Sequence, residues 1–577
     1  MNFFSGGEGA GAGRVRRALI PSVLFLFCAA SLCPAAGALA SCEQGAPGVQ
    51  AFQLMLPLLL IAAAAAVLCG SGTAFVMAGA EAEGNRDRKR EAVMTGAVLV
   101  LVTEGILCAA AAAFPAGGLY PGRISPEAGA AVRMWMKGLV PCLPALGLFL
   151  FFAILLFAEG GEKQAAAVCA ATCALQTVFS LGVFRIRGGA GFGYSMAAAC
   201  LAGAGASCIL SGRREKRSGR PRLSLMTARQ ILSGGLPEAE ACACTALSVL
   251  ILNTWLVMTG RAAYLPAAFY ACLAYGSFLL LGRGLALGFD PMLRVYRAES
   301  NEKGILLLMR DGFLMILVVC NVWMALLFLG AGFLSGVWIS SPEEIRTAGI
   351  TAARLLAPFS VFYCISVFLE GYYRAVGEGG TARFFRLTSL AVWPLAWGFA
   401  GIRLAGLSGL WTGIGAAGFF SLITGYAAVR FRGRKEQKGG SGFLLLDRDF
   451  CESQFYEICP ADAEGRAALL SRVDSYLTEK KVPEYEQLRI LQLLKELTAG
   501  ICQRAGDDAF YMDCTISASE SGTFQVILRD DGPLTDKADP RHAIRSFRMY
   551  GLSRSIRTGA DAKLAPASAE NRTVFRV

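Results

Sequence analysis

The sequence predicts a membrane-embedded all-α body of twelve transmembrane helices in two parallel six-helix repeats, followed by a water-soluble α+β domain. Three observations predict it. Of 577 residues, 55% are hydrophobic and only 17% charged, with a mean hydropathy of +0.49; a soluble chain carries about 25% charged residues. The apolar residues gather before residue 431, in runs of about 20, the length that roughly 30 Å of hydrocarbon demands. The first half of this apolar region recurs in the second half at an offset of 216 residues.

Twelve apolar spans are read at 18–40, 50–78, 92–115, 132–157, 164–184, 191–211, 231–259, 266–290, 310–333, 350–373, 384–403 and 408–429. Basic linkers alternate with linkers poor in Lys and Arg. The basic ones hold Arg14, Arg16 and Arg17; Arg86, Arg88, Lys89 and Arg90; Arg213 to Arg222; Arg294, Arg297 and Lys303; Arg374, Arg383 and Arg386; and Arg430 to Lys438. Arg185 and Arg187 are the main exception. Basic linkers mark the cytoplasmic face, so both termini are expected in the cytoplasm of a cell or inner membrane, and the span count is even. A rival reading takes the N-terminal basic residues, the apolar run and Ala38-Leu39-Ala40 as a cleaved signal peptide. That would leave eleven spans, and the repeat argues against it.

In the repeat, Pro21 falls on Pro237, each at the start of the first span of its half, and Gly72 falls on Gly288 without a gap. Ala82-Glu83-Gly84-Asn85 falls on Ala298-Glu299-Ser300-Asn301, both in the basic linker after the second span of a half. With small shifts, Leu139-Val140-Pro141 resembles Leu356-Ala357-Pro358, and Glu159-Gly160-Gly161 resembles Glu378-Gly379-Gly380. Six spans per half leave both copies in one orientation. Parallel repeats about an axis along the membrane normal are a transporter architecture, with a substrate site between the halves near mid-membrane.

Several classes of chemistry are excluded. The single histidine is His542, so the membrane part has no histidine proton relay. It lies between two of the tail motifs and reads as a lone surface residue rather than a phosphate acceptor. The 19 cysteines are scattered through apolar runs without metal-ligand spacing, Cys242 and Cys244 included; they read as reduced core thiols, and no metal site is expected. The chain has no Walker A sequence, which excludes an ABC-type motor. Gly189-Ala190-Gly191-Phe192-Gly193 is a loop cluster and not a dinucleotide site. The charge is divided: residues 447–577 hold 18 Lys and Arg against 21 Asp and Glu, a net of −3, so the rest of the chain, out of a total of +12, carries +15. That excess sits in the linkers, where an orientation signal belongs, and no nucleic-acid patch stands out.

The expected divisions are a cytoplasmic N-terminus (1–17), an N-lobe (18–211), a basic linker (212–230), a C-lobe (231–430), a second linker (431–446) and a cytoplasmic domain (447–577). Two six-helix halves, each opening on a Gly-Leu-Pro-like turn and carrying an Ala-Glu-Gly-Asn-like linker after its second helix, resemble the multidrug and toxic compound extrusion (MATE) transporters. Gly235-Leu236-Pro237 through Asn253 resembles their seventh helix. Gly371-Tyr372-Tyr373-Arg374-Ala375-Val376-Gly377-Glu378 resembles, imperfectly, the Arg-Gly-x-Gly-Asp turn after the tenth. The resemblance covers residues 14–430. It implies secondary active efflux of organic, often cationic, solutes, driven by a proton or sodium gradient through rocking of two lobes, and no enzymatic reaction.

A charge at membrane depth costs roughly 2.5–3.5 kcal/mol on insertion scales, so each calls for a reason. Glu104 stands mid-span in Leu-Val-Thr-Glu-Gly-Ile-Leu, as a proton or cation site or as a structural partner, for example of Arg283. Arg283, in Leu-Gly-Arg-Gly-Leu, must find a carboxylate or carbonyls; Asp290 lies seven residues on, nearer the cytoplasmic end. Glu370 and Arg374 are spaced as an i, i+4 pair. Glu238 and Glu240 follow Pro237 at an expected helix start, where acids suit the dipole. Asn253 is placed to line the cavity or to bond across helices. Relatives carry an acid in the first helix and in the middle of the seventh, and both are missing here, which leaves the coupling ion open.

After Gly439-Gly440-Ser441-Gly442, 462–480 and 484–505 read as amphipathic helices, with Leu488, Leu491, Leu494, Leu497 and Ile501 at helical spacing. Phe510 to Ser517 and Thr523 to Leu528 read as strands about the turn Glu520-Ser521-Gly522. This segment resembles, in degenerate form, the histidine-kinase-like (Bergerat) ATPase fold of the anti-sigma-factor type. Leu494-Lys495-Glu496-Leu497 sits where the family's first box would be. Arg529-Asp530-Asp531-Gly532 resembles the Asp-x-Gly box, Tyr550-Gly551-Leu552 the glycine-rich box, and Glu570-Asn571-Arg572-Thr573 the closing strand. The resemblance implies ATP contacts at Glu496, Asp530, Gly532, Gly551 and Asn571. The position of the magnesium-holding asparagine is Gly500, which has no side chain to ligate a metal, and hydrolysis is not expected.

Three functions compete: an efflux transporter with a regulatory tail, a transport-incompetent scaffold whose tail docks a protein partner, and a lipid or polysaccharide flippase of the same superfamily.

Overall fold

The computed structural model describes residues 20–30, 32–83, 85–113, 124–187, 189–212, 223–338, 342–435, 443–446, 453–505, 511–518, 524–530, 557–560 and 571–576. The linker 439–442, the turn at Glu520, the segment with Gly532, His542 and Gly551, and the basic linkers at 14–17 and 213–222 lie outside them.

The helices of the apolar region are α1 (Ile20–Ala30), α2 (Leu32–Ala82), α3 (Arg86–Ala113), α4 (Pro126–Ala158), α5 (Glu162–Arg187), α6 (Gly189–Gly212), α7 (Leu225–Met258), α8 (Leu265–Ala298), α9 (Glu302–Trp338), α10 (Glu343–Leu356), α11 (Ser360–Ala375), α12 (Gly379–Leu387) and α13 (Trp393–Lys435). Among the described residues ten helical stretches are long and apolar enough to cross a membrane, where the sequence reads twelve spans. Two of the long helices are broken internally. Gly45 leaves helical geometry within α2 (φ 61°), and Ala405 and Gly406 (φ 62°) do so within α13. Both glycines occupy the left-handed region that a side chain disfavours.

These helices face an apolar surrounding. On α9, Leu314, Val318, Val322, Leu326, Leu329 and Phe333 recur three or four residues apart on one outward stripe, with Leu329 80% and Phe333 82% exposed. In water such a stripe would have to be covered. In hydrocarbon it is the expected surface, because helices satisfy their own backbone groups.

Residues 19–288 and 313–427 form one compact unit. In it α2 packs along α7, α4 along α6, and α2 against α4. Apolar clusters seal these contacts, one of them built from Cys69, Val76, Val100, Phe151, Leu155 and Ile231. Gly72 and Gly235 set the distance between α2 and α7. A Cβ on Gly72 would lie 1.9 Å from the Ile231 carbonyl oxygen, and one on Gly235 1.9 Å from that of Leu68. Small residues let membrane helices approach closely. Sixteen of the 19 cysteines are free thiols.

Residues 289–312 and 428–577 fall in the second unit. Its core is an antiparallel sheet of β1 (Phe455–Pro460), β2 (Tyr511–Ala518), β3 (Phe524–Asp530), β4 (Arg557–Ala560) and β5 (Asn571–Arg576), in the order β1-β2-β3-β5-β4. Two helices, α14 (Ala463–Glu479) and α15 (Glu484–Ala505), cover one face. Asp462 caps α14 through the Gly465 N–H. Alternation in a strand sends every second side chain to one face. Met512, Cys514, Ile516, Val526 and Leu528 accordingly meet Leu469, Val473, Leu477, Ile490, Leu493 and Leu494. One expected core position is corrected: Leu488 is 62% exposed, because the face that α15 turns to the sheet is centred on Ile490, Leu494 and Ile501.

Candidate functional site

Glu104 lies in the middle of α3 and is completely buried. Neither carboxylate oxygen has a hydrogen-bond partner among the described residues. The alternative that it pairs with Arg283 is overturned, since that arginine is spent on other carboxylates. Gly147 of α4 makes room for it: a Cβ there would come within 2.6 Å of the Glu104 Cγ. A buried ionised carboxylate without a partner is held only at high cost, so the position suits a group that takes up a proton or a cation.

The second candidate is an ionic cluster on α7, α8, α11 and α12. Arg283 donates to Glu238 (3.1 Å) and lies 3.9 Å from Glu370. Arg386 donates to Glu370 (2.7 Å) and to Glu240 (2.8 Å), Arg383 donates to Glu240 (2.8 Å), and Arg374 pairs with Glu238. Three carboxylates thus face four guanidiniums. Two expectations are corrected here. Glu370 pairs with Arg386 and not with Arg374 four residues on, because a guanidinium buried between helices reaches it in better geometry than a neighbour on its own helix. Glu238 and Glu240 are not at a helix start: α7 begins at Leu225 under a Ser224 cap and runs on through Pro237, so the two acids sit mid-helix as bridging anions.

Asn253 of α7 is fully buried and bonds α2: its Nδ2 donates to the Gln53 carbonyl (2.7 Å), and the Gln53 Nε2 donates to its Oδ1 (2.8 Å). Gln53 was not singled out by sequence, and no local pattern marks it. A cavity of about 110 Å³ lies beside this seam, lined by Ser248, Trp255, Tyr275, Phe399 and Trp411, with no charged residue in its lining. Ser248, which lines it, is tied to a π-helical turn at Thr388–Val392, its Oγ donating to the Leu390 carbonyl (2.7 Å). Such turns widen the helix and recur at functional sites.

Asp290 pairs with Arg294 one turn on (2.8 Å) and has no part in the cluster. In the sheet domain, Glu496 stands exposed on α15. Asp530 is buried at the end of β3, in register with Asn571 of β5. Gly532 and Gly551 lie outside the described residues, as does the side chain of Asn571. Burial raises the Glu457 carboxyl above its ordinary range, against the pull of Arg472 and Lys303.

No family model matches the chain, and no curated protein matches it. Solved structures do. An outward-facing multidrug-resistance MATE transporter of the MOP superfamily superposes with a TM-score of 0.61 at 17% identity, over 74% of this chain and 97% of that one. A MATE transporter in complex with MaL6 gives 0.59 at 18%, over 74% and 98%. A MOP-superfamily transporter from Pyrococcus furiosus gives 0.61 at 16%, over 74% and 96%; the reverse polarity of its binding pocket is described as suggesting a different function. The first and third of these neighbours are described as transporters. Over about three quarters of its length, this chain shares the fold of the MATE transporters.

Proposed function

We propose that the chain is a secondary efflux transporter, an antiporter that exchanges an amphiphilic organic solute for protons or sodium ions. The observation that carries this reading is Glu104: a carboxyl at the centre of an apolar helix, buried and unpartnered among the described residues. Such a group binds a proton or a cation more readily than it serves the fold. The twelve-span, two-repeat reading has support from the breaks at Gly45 and Gly406. It also has support from two turns that cap alike, Asn85 accepting from the Arg88 N–H and Asn301 from the Gly304 N–H, each three residues on. Basic linkers place both termini in the cytoplasm on this reading. The uncharged, aromatic-walled cavity by Trp255 and Trp411 is the place for the apolar part of the solute. Efflux on this reading needs no nucleotide at the tail.

Coupling then runs through occupancy of Glu104. Loading by a proton or cation neutralises the site and favours one arrangement of the helices around it, and solute binding favours the other. Each ligand shifts the equilibrium only by its difference in affinity for the two states.

The ionic cluster favours a second reading, a scaffold without transport, because arginines already neutralise Glu238, Glu240 and Glu370. Ethidium efflux from cells lacking their own pumps decides between the two, measured with and without sodium and a protonophore. The transporter reading expects gradient-dependent efflux, abolished in Glu104→Gln with protein still in the membrane. Normal efflux by that variant removes Glu104 from the mechanism, and absence of efflux from the parent protein favours the scaffold.

A further inference from the structure

The sheet domain has a second covered face. Alternation along β2 and β3 sends Asp513, Thr515 and Arg529 away from α14 and α15. An exposed polar face would be ordinary there, yet all three are buried. What covers them is the turn between α8 and α9. Arg529 forms an ion pair with Glu299, both side chains 2% exposed, and its guanidinium lies 5.2 Å over the ring of Tyr296. Asn301 Nδ2 donates to Thr515 Oγ1 (3.0 Å), and the hydroxyls of Tyr296 and Tyr456 are 2.6 Å apart. Gln454 completes the contact: its Nε2 donates to the Ser300 carbonyl (2.7 Å), while its own carbonyl accepts from Lys303 Nζ (3.0 Å).

Glu83-Gly84-Asn85 corresponds in sequence to Glu299-Ser300-Asn301. There Glu83 is satisfied within its own turn by Arg88 (2.8 Å) and stays exposed. A turn of this type is therefore complete without a sheet against it. The structural neighbours match 96–99% of their own length to about three quarters of this chain, so about a quarter of this chain has no counterpart in them. The contact at Glu299 is an addition, placed where two long helices meet.

We propose that the sheet domain is a built-in strap: it grips the Glu299-Ser300-Asn301 turn through Arg529 and Thr515, holds the joined ends of α8 and α9 in one arrangement, and so brakes the cycle. A buried ion pair is strongly destabilised when one partner is removed, since the other charge stays behind unpaired. That gives the strap two sharply separated states. The brake rests on the transporter reading above; the grip does not.

The test uses the full chain with a protease site inserted at 439–442. After cleavage and washing of the membranes, the fragment carrying the sheet is expected to stay bound. In Glu299→Ala and in Arg529→Ala at least tenfold less should be retained, and the charge exchange Glu299→Arg with Arg529→Glu should recover much of it. Equal retention in the single variants, or release from the parent protein, overturns the grip. For the brake, initial rates of dye efflux by the uncleaved single variants should rise severalfold and fall back in the exchanged pair. Unchanged or lower rates with the fragment released overturn the brake. Absence of efflux from every variant removes both the transporter reading and the brake, while retention still decides the grip.

Discussion

Gln53 and Asn253 exchange two hydrogen bonds between α2 and α7, one through the Gln53 amide nitrogen and one through its backbone carbonyl. They fix one end of a seam whose other end is the contact of Gly72 with Ile231 and of Gly235 with Leu68. The 19 positions from Gln53 to Gly72 span about 28 Å of helix, so polar latch and close contact stand nearly a membrane thickness apart. The helices run antiparallel, since residue numbers rise along α2 as their partners' fall along α7.

The latch predicts an asymmetric response to substitution. Asn253→Ala leaves the buried Gln53 amide without that partner and should cost about 1–3 kcal/mol, the desolvation penalty of an abandoned polar group. The double variant Asn253→Leu with Gln53→Leu removes both polar side chains and should recover part of the loss. Thermal unfolding in detergent checks this; equal destabilisation by single and double variants would show that the pair only fills space.

At the other end of the seam, Gly72→Ala and Gly235→Ala each place a methyl 1.9 Å from a backbone oxygen, a distance no rotamer change relieves. Both should lower expression of folded protein severely. Gly105→Ala is the control, because a Cβ there meets nothing within 4 Å. The separation of the two classes is read from the monodisperse fraction after extraction.

How much of this was legible from the residues depends on range. The tail helices were readable to within a residue or two, because the 3.6-residue period and the Asp462 cap are local. So was Glu104, since a lone carboxylate in an apolar run announces itself. The pairing of the charges was not. Glu370 and Arg374 satisfy the local i, i+4 rule, yet Arg386 and Glu238 outbid it, from 16 and 136 positions away. Pro237 looked like a helix start because proline ends soluble helices, whereas in α7 the helix runs on through it. The buried outer face of the sheet was invisible for a further reason. Asp513, Thr515 and Arg529 alternate with apolar residues as a solvated face would, and only the distant Glu299 turn reverses that meaning.

Gly147 gives an indirect handle on Glu104. Gly147→Ala crowds the Glu104 Cγ at 2.6 Å and must push the carboxylate aside while leaving its chemistry intact. On the transporter reading, gradient-dependent efflux should fall about tenfold with protein levels held, the cost of a misplaced group of roughly 1.4 kcal/mol. Gly182→Ala, where a Cβ meets nothing within 4 Å, should leave efflux unchanged. Equal rates for the two variants would make the position of Glu104 irrelevant to transport.

Arg386 holds the ionic cluster together. It bonds Glu370 from one side and Glu240 from the other, and its side chain is 3% exposed. Arg386→Ala leaves the buried Glu370 with only the more distant Arg283, at 3.9 Å, and removal of one partner from a buried pair costs about 3–5 kcal/mol. Arg383→Ala removes a mostly exposed guanidinium from the same Glu240 and should cost no more than about 1 kcal/mol. Arg386→Met with Glu370→Leu replaces the pair by apolar groups of similar volume and should restore stability above the single variant, because no charge is left unpaired. Thermal unfolding of the four proteins separates the outcomes. If the double variant is as unstable as Arg386→Ala, then Glu240 is the partner that matters, and Arg283 alone suffices to hold Glu370.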